Sequence, residues 1–195
     1  QGADAVIQHE CVAEQDNTII IPDVVVQGAN IRPVGRDVAA GGAVVYAGTR
    51  LGAPQIGALA AAGLDEVICA RRPRVAVLTT GSELKAPGSP LAPGEVYEAN
   101  GVMLAAQLEV EGAVVTRLPA VADDEAEHRC AIEGGLEHDV LVTSGGVSVG
   151  PHDLVRRIEA ELGVEEVFWR VAVRPGKPVS FGVRGATLVF GLPGN

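Results

Sequence analysis

Cysteine, aromatic residues and long apolar runs are all scarce in this chain of 195 residues. Cys11, Cys69 and Cys130 lie far apart and form no Cys-x-x-Cys pair, which disfavours both a disulfide framework and a structural zinc site. We therefore expect a reducing, cytoplasmic compartment. The longest apolar run, around residues 56–62, is interrupted by Gly57 and is far shorter than the roughly 20 residues that cross a bilayer, so no membrane span is expected.

Positive charge is also in short supply, because the formal net charge is −10 at pH 7. Such a surface repels polyanions, so broad contact with nucleic acid or with anionic lipid is not expected. A small anion can still bind where a few cations and backbone N–H groups converge. The chain opens on Gln1, with neither an initiating Met nor the residue order of a secretory signal, so we interpret it as a fragment.

Short β-prone runs separated by turn formers fill the N-terminal region, which predicts part of a small mainly-β domain over residues 1–37. A connecting segment is predicted over residues 38–72, where Pro54 suits the first turn of a helix and Gly63 suits the position just past its end. The runs predicted as strands are 6–7, 18–21, 24–26 and 44–47.

After Pro73 the pattern changes to strand-length apolar runs that alternate with helical stretches, which predicts an α/β domain over residues 73–195. The predicted strands are 75–78, 114–118, 139–143, 166–173, 179–183 and 187–190. The predicted helices are one capped by Asn100, one opened by Asp123 and Asp124, and one over residues 152–162. Repeated βα units require a largely parallel sheet, whose ligands bind outside the carboxyl ends of the strands. The loops after Leu78, Thr143 and Phe190 should therefore share one edge.

A glycine-rich loop is predicted after the third of these strands, where residues 143–150 read Thr-Ser-Gly-Gly-Val-Ser-Val-Gly. Its glycines let backbone N–H groups approach a phosphate, and Ser144 and Ser148 add hydroxyl donors. A Gly-Gly pair taken alone is more often an ordinary tight turn that binds nothing. The order of a Walker loop and that of a dinucleotide fingerprint are both missing.

Two carboxylates are predicted at the same edge of the sheet. Glu83 follows the first strand, and Asp153 lies just past the glycine-rich loop. Two hard oxygen ligands beside a phosphate are typical of a Mg²⁺ site. Taken singly, Glu83 is better explained as a solvated loop charge and Asp153 as a first-turn acid that favours the helix dipole.

Cations occur on a turn that prolines stiffen, Arg-Pro-Gly-Lys-Pro at 174–178, which is suited to hold an oxyanion and equally to form an exposed hairpin tip. The segment 191–195, Gly-Leu-Pro-Gly-Asn, offers another backbone suited to close approach. A polar cluster of Arg32, Arg36 and Asp37 lies outside the α/β region.

Taken together and in this order, the segments resemble the MoeA/gephyrin family of molybdopterin molybdenumtransferases. Each motif is weak alone, whereas the ordered set covers nearly the whole chain and is specific. The matching segments are 2–6, 32–37, 48–51, 80–84 (Thr-Gly-Ser-Glu-Leu), 96–100 (Val-Tyr-Glu-Ala-Asn), 144–150 with Asp153, 174–178 and 191–195.

The resemblance implies a three-layer, MogA-like, molybdopterin-binding βα domain that is incomplete at its C-terminal end. It also implies an enzyme that binds adenylylated molybdopterin, inserts molybdate and releases AMP with the help of Mg²⁺. The family forms homodimers, in which Arg36 and Asp37 of one subunit would complete the site of the other, and contact with a molybdopterin adenylyltransferase is implied. Because some molybdate ligands are expected outside this chain, substrate binding without turnover is one expected outcome.

Site roles carry over from the family position by position. The resemblance assigns catalytic roles to Asp37, Glu83, Asp153 and Lys177, with Glu83 and Asp153 as the metal ligands. Arg174 and Ser82 depart from the residues that are common in the family, Lys and Asp respectively. The implied substrate-binding residues are Thr80, Gly81, Ser82, Ser144, Gly145, Gly146, Ser148, Gly150, Arg174, Pro175, Gly176, Gly191, Pro193, Gly194 and Asn195.

Three alternatives share the βα core. A single-domain molybdopterin adenylyltransferase would catalyse the preceding step, but it would lack the upstream β segment. A gephyrin-like scaffold would bind a membrane receptor, and a receptor-peptide pull-down would reveal it. A nicotinamide-nucleotide hydrolase would bind a pyridine nucleotide in place of a pterin.

Overall fold

The structure, a computed structural model, describes residues 2–21, 24–122, 124–146, 154–174 and 177–194. The chain divides into two compact units, Gln1–Cys69 and Ala70–Asn195. The finer boundaries at residues 37 and 72 stay predictions. None of the described helices combines the length and the apolar character that crossing a bilayer requires.

The N-terminal unit contains little regular structure. A short 3-10 helix, His9–Cys11, precedes an antiparallel hairpin formed by β1 (Ala13–Gln15) and β2 (Thr18–Ile20). The two hairpin residues, Asp16 and Asn17, both have positive φ, as the tight turns that join twisted strands require. One helix, α1 (Ala53–Ala61), follows.

Three of the predicted N-terminal strands are wrong. Residues 6–7, 24–26 and 44–47 have no strand partner, and β1 and β2 are the only strands in the described part of this unit. Val24 is 92% exposed and Val26 is 70% exposed. A β-prone run forms a strand only where a neighbouring strand and a covering surface are available, and these runs have neither.

The helix predicted from Pro54 is confirmed as α1. Pro54 lies in its first turn, and Gly63 follows its end with a φ of 83°. The Gly63 N–H donates to the carbonyl of Ala60 (3.0 Å) and the Leu64 N–H donates to that of Leu59 (3.0 Å). These two bonds satisfy the last carbonyls of the helix, which is the usual role of a glycine in this position.

The C-terminal unit is an α/β domain that alternates strands with helices, as the sequence predicts. Its helices are α2 (Asn100–Val110), α3 (Glu125–Gly135) and α4 (Leu154–Glu161). Its strands are β3 (Arg74–Thr79), β4 (Leu84–Lys85), β5 (Val96–Tyr97), β6 (Val114–Arg117), β7 (Val140–Ser144), β8 (Glu165–Trp169), β9 (Ser180–Arg184) and β10 (Thr187–Leu192).

Six of these strands form one sheet in the order β6-β3-β7-β10-β9-β8. The strands β6, β3, β7 and β10 run parallel, while β9 is antiparallel to both of its neighbours. The pairing of β8 with β9 shifts register between Glu166 and Phe168, which marks a β-bulge at this edge strand. The strands β4 and β5, which the sequence did not predict, form a separate parallel pair.

The sheet is covered on both faces, which gives three layers. Alternate residues of β3 point to opposite faces, so that Ala76 and Leu78 pack with the helices α3 and α4, whereas Val75 and Val77 pack with α2. Leu78 is fully buried. Burial of one such side chain contributes about 2 kcal/mol, so this alternation fixes which face each helix covers.

An ion pair fastens the start of the domain. Arg71 donates to both carboxylate oxygens of Asp139 (2.5 and 2.6 Å), and the Arg74 N–H donates to one of them (2.7 Å). The Arg71 guanidinium, followed by the Arg74 N–H, holds the pKa of the Asp139 carboxyl well below its usual range. The segment that enters β3 is thereby tied to the residue that precedes β7.

Candidate functional site

The loops that follow β3, β7 and β10 meet at the carboxyl edge of the sheet, as predicted. They surround a cavity of about 500 Å³, which we call the rim pocket. The residues that line it are Thr79, Thr80, Gly81, Glu83, Leu84, Val96, Tyr97, Glu98, Ala99, Asn100, Ser144, Gly145, Gly146, Pro178, Pro193 and Gly194.

Backbone contacts hold the three loops together. The Thr80 N–H donates to the carbonyl of Ser144 (3.0 Å), and the Gly145 N–H donates to that of Leu192 (3.1 Å). A Cβ at Gly194 would lie 3.2 Å from the Cα of Gly145. The loops therefore form one continuous floor to the pocket.

Asn100 joins two of these loops to the helix α2. Its side-chain amide donates to the carbonyl of Gly194 (2.8 Å) and to the Ser144 hydroxyl (3.2 Å). The prediction that Asn100 caps the helix is wrong, because Ala99 occupies the N-cap position and Asn100 is the first helical residue.

Glu98 supplies the cap that Asn100 does not. Its carboxylate is 5% exposed and accepts bonds from the Gly101 N–H (2.5 Å) and from the Arg117 guanidinium (3.1 Å). A carboxylate near a helix N-terminus is favourable, and a buried one requires such partners. Glu98 is thus a structural acid whose charge Arg117 offsets.

Glu83 is the contrasting acid of the rim pocket. Its side chain is exposed, and in the described part of the chain its carboxylate has no hydrogen-bond partner. A Cβ at Gly81 would lie 2.5 Å from one carboxylate oxygen of Glu83, so this carboxylate lies against the Gly81 backbone. The arrangement presents an uncommitted carboxylate to a ligand.

Gly145 and Gly146 bring the backbone close to Thr80. Their φ angles are 93° and 68°. A Cβ at either position would lie 3.0 Å from the Thr80 hydroxyl oxygen. That hydroxyl is buried and has no hydrogen-bond partner among the residues that the structure describes. Because a buried hydroxyl without a partner is costly, Thr80 is suited to bond a ligand in the pocket.

The remaining predicted residues lie in several places. Ser82 is exposed between Gly81 and Glu83, and Gly191 is buried within β10 opposite Thr143. Arg174 and Lys177 are exposed on the turn between β8 and β9. The residues Ser148, Gly150, Asp153, Pro175, Gly176 and Asn195 lie outside the described part of the chain.

Asp37 belongs to the N-terminal unit. Its carboxylate accepts a hydrogen bond from Arg32 (2.8 Å), and both line a cavity of about 660 Å³ that also includes Arg36. Arg36 has no ion-pair partner among the described residues. This second cavity therefore has one paired and one available guanidinium.

Sequence reasoning assigned no site role to the segment before α2. Tyr97, Glu98, Ala99 and Asn100 all line the rim pocket, yet the sequence indicates this segment only as a motif of the family. The available signal was an acid and an amide two residues apart at the start of a helix. The described residues contain no group of three or more His, Cys, Asp or Glu that could hold a metal ion.

Two family models match the chain. Residues 76–195 match the model described as a probable molybdopterin binding domain, which covers more than half of the chain. Residues 1–63 match the model described as the MoeA N-terminal region (domain I and II).

Curated relatives carry a consistent name. A molybdopterin molybdenumtransferase from Haemophilus influenzae is 38% identical over 197 residues, covering 100% of this chain and 48% of the relative. Molybdopterin molybdenumtransferase 2 from Mycobacterium tuberculosis is 37% identical over 202 residues, covering 100% of this chain and 49% of the relative. The chain thus spans about half the length of these relatives.

Solved structures agree with the sequence matches. A molybdopterin biosynthesis MoeA protein from Pyrococcus horikoshii superposes with a TM-score of 0.74 at 36% identity, covering 98% of this chain and 48% of that one. A second structure of this name and organism gives a TM-score of 0.71 at 28% identity, covering 100% and 46%. The resemblance drawn from the motifs is confirmed: the chain belongs to the family of probable molybdopterin-binding domains, joined to a MoeA-type N-terminal region.

Proposed function

We propose that this chain carries the substrate site of a molybdopterin molybdenumtransferase, which inserts molybdate into adenylylated molybdopterin and releases AMP. The observation that supports it best is the convergence of the loops after β3, β7 and β10 on one pocket. The names of the relatives and the match of residues 1–63 favour this reaction over adenylylation of molybdopterin.

The rim pocket suits the heterocyclic and phosphate parts of such a substrate. A pterin is planar and rich in hydrogen-bonding atoms, and the pocket offers the Thr80 hydroxyl and the backbone of Gly145 and Gly146. Backbone N–H groups at glycines can approach a phosphate where a Cβ would collide. Asn100 would keep these groups in place, since its side-chain amide donates hydrogen bonds to Ser144 at the end of β7 and to Gly194 after β10.

The residues present fit a Mg²⁺ ion that is bound together with the substrate. Magnesium usually takes one or two protein carboxylates along with phosphate oxygens and water, and Glu83 is the uncommitted carboxylate among the described residues of the pocket. Glu83 and Asp153 would hold the ion. When bound, the ion polarises the phosphoanhydride and offsets its charge. Lys177 would add a positive charge beside the leaving AMP.

Glu83→Gln tests this part of the proposal because the change keeps the shape of the side chain and removes its charge. We expect calorimetric titration with adenylylated molybdopterin to show that Mg²⁺ strengthens binding to the unchanged chain and no longer does so for the variant. Where turnover is measurable, AMP release should fall about 100-fold. Glu109→Gln, an exposed acid on α2, is the matched control. Full Mg²⁺ dependence in the Glu83 variant would contradict the proposal.

The proposal includes a homodimer in which Arg36 and Asp37 of one subunit reach the site of the other. The cavity of about 660 Å³ that carries both residues supports it. Mixing Asp37→Asn with Glu83→Gln protein tests it, because a mixed dimer contains one site with both acids intact. We expect AMP release to recover when the two variants are mixed. If the mixture stays as inactive as each variant alone, the proposal of a site shared between subunits is contradicted. Contact with a molybdopterin adenylyltransferase is part of the same proposal, and co-purification would test it.

We place the protein in the cytoplasm. All three cysteines are free and exposed, which suits a reducing compartment. Fractionation of cells that produce the protein would test this, and recovery outside the cytoplasm would contradict it.

A further inference from the structure

Tyr97 is the only aromatic side chain among the described residues that line the rim pocket. It is 47% exposed, although an aromatic ring usually stabilises a fold by being buried. Its hydroxyl donates to the carbonyl of Ser89 (2.9 Å), so the polar end of the side chain already has a partner. The surface that stays available to a ligand is therefore the ring rather than the hydroxyl.

The ring belongs to a flap that hydrogen bonds make rigid. This flap, residues 84–97, consists of β4, β5 and the loop between them. Within the loop, the Glu95 carboxylate accepts a bond from the Ala92 N–H (2.7 Å) and forms an ion pair with Lys85 (3.2 Å). The bond from the tyrosine hydroxyl to Ser89 crosses the same loop. A flap that is held in this way loses little conformational entropy when a ligand binds to it.

Backbone hydrogen bonds join the flap to the rest of the pocket. The Val96 N–H donates to the carbonyl of Glu83 (2.9 Å), and the Glu98 N–H donates to that of Lys85 (2.8 Å). Glu98 in turn accepts a bond from the Gly101 N–H in the first turn of α2 (2.5 Å). The tyrosine is therefore fixed between the loop that carries Glu83 and the start of α2.

The pocket offers both kinds of surface that a flat heterocycle needs. Its faces are apolar and polarisable, whereas its edge carries hydrogen-bonding atoms. Tyr97, Pro178 and Pro193 supply rigid apolar surface, and the buried Thr80 hydroxyl supplies a polar group. A small anion without a ring would use the polar groups of the pocket and gain nothing from the tyrosine.

We propose that Tyr97 is the stacking platform for a planar heterocycle of the substrate, either its pterin or its adenine ring. The inference rests on the proposed function for the identity of the substrate. The electron-rich phenol ring suits an offset stack with an electron-poor heterocycle. Because the contact involves no charge, it strengthens the binding of ring-bearing ligands and leaves that of ring-free anions unaffected. Tyr97 is thus a specificity-determining residue of the rim pocket.

Tyr97→Leu tests the inference because leucine keeps an apolar side chain and removes the flat ring. We expect calorimetric titration of the 195-residue chain to show that its affinity for pterin-6-carboxylate or for AMP falls about tenfold. The affinity for pyrophosphate, which has no ring, should stay the same. Tyr97→Phe keeps the ring and loses only the bond to Ser89, so it should retain most of the affinity. Tyr46→Leu, which changes the exposed tyrosine of the N-terminal unit, is the matched control.

The two ring-bearing ligands distinguish the two ends of the substrate. A loss confined to pterin-6-carboxylate assigns Tyr97 to the pterin ring, and a loss confined to AMP assigns it to the adenine ring. A loss for both ligands shows that the platform accepts either ring.

Four results would overturn the inference. One is an unchanged chain that binds neither ring-bearing ligand, and another is unchanged affinity for both in Tyr97→Leu. A Tyr97→Phe chain as weak as Tyr97→Leu would assign the effect to the hydroxyl, and an equal loss for pyrophosphate would assign it to the shape of the pocket. The Mg²⁺ test on Glu83 is independent of these results: its failure beside a positive Tyr97 result removes the proposed reaction and keeps the heterocycle site.

Discussion

At the scale of single residues, Asn100 has the widest influence on the rim pocket. One amide group bonds the Ser144 hydroxyl at the end of β7 and the Gly194 carbonyl after β10, while its backbone starts α2. A loop at a strand end is normally free to adopt several conformations, and each bond to a rigid element removes some of them. The pocket is therefore formed before the ligand arrives.

Asn100→Leu should weaken binding of adenylylated molybdopterin more than it weakens the fold. The variant leaves the Gly194 carbonyl and the Ser144 hydroxyl without their donor, at a cost of about 1–3 kcal/mol. Titration and thermal unfolding, measured together, separate the two effects. Gln107→Leu, an exposed amide on the same helix, is the control. Equal affinities for the Asn100 variant and the unchanged chain would show that the loops hold their positions without this side chain.

Asp139 should make the stability of the chain depend on pH. Its pKa is lowered in the folded state, so its stabilising contribution is complete above its unfolded pKa of about 3.9 and declines as the pH falls below that value. Asp139→Asn should lower the urea midpoint at pH 7 and flatten the loss of stability below about pH 4. Glu133→Gln, an exposed acid on α3, is the matched control. If the variant loses stability in acid as steeply as the unchanged chain, Asp139 is not a source of the pH dependence.

At the scale of elements, α3 ends in two glycines with opposite surroundings. A Cβ at Gly135 would lie 2.6 Å from a methyl of Leu141 in β7, whereas a Cβ at Gly134 would meet nothing within 4 Å. The helix approaches the sheet closely at Gly135 because that residue has no side chain. Gly134 plays no such part in the packing.

The adjacent substitutions Gly134→Ala and Gly135→Ala should therefore change stability in opposite directions. Alanine at 134 should raise the free energy of unfolding by about 0.5–1 kcal/mol, because it favours the helix. Alanine at 135 should lower it by about 1–3 kcal/mol, because the helix must move away from Leu141. Chemical denaturation measures both. Two changes of the same sign would mean that the close approach does not limit the packing.

The main elements of the C-terminal unit could be predicted because the pattern of apolar residues within each one reflects how it is buried. The run Val75–Leu78 is apolar at every position, as expected of a strand that is covered on both faces. It forms β3, in which all four residues are buried. The pairing of β4 with β5 was not predictable, because two-residue strands joined by a ten-residue loop carry no periodicity. The reversed direction of β9 also depends on distant partners.

The site was predictable in its location more than in its details. Parallel strand ends must share an edge, so the loops after β3 and β7 could be paired from sequence. The role of Asn100 could not be inferred, because an amide at a helix start is usually a cap. The opposite roles of Glu83 and Glu98 depend on burial and on Arg117, which lies nineteen positions from Glu98.

At the scale of the whole molecule, the buried apolar residues all belong to one unit. Both clusters lie within residues 70–195, and no described residue of Gln1–Cys69 is fully buried. Hydrophobic burial is the main source of cooperative stability, so the α/β unit should account for the cooperative unfolding of the chain.

Hydrogen exchange of the 195-residue chain should show this difference directly. Amides of β3, β7 and β10 should exchange only through global unfolding, whereas those of residues 2–69 should exchange faster by at least about 100-fold. The hairpin β1–β2 is an internal control, because it is hydrogen-bonded but exposed. Protection of the hairpin equal to that of β3 would mean that the N-terminal unit is stabilised by more than its own contacts.

The bulge between Glu166 and Phe168 bears on whether copies of the chain can associate through their sheets. β8 is an edge strand, and the free edge of a strand is a template on which a strand of another molecule can add. An irregular register offers donors and acceptors at the wrong spacing, and the exposed carboxylate of Glu165 adds a negative charge at this edge. The irregular edge at β8 therefore discourages sheet-to-sheet association between copies of the chain.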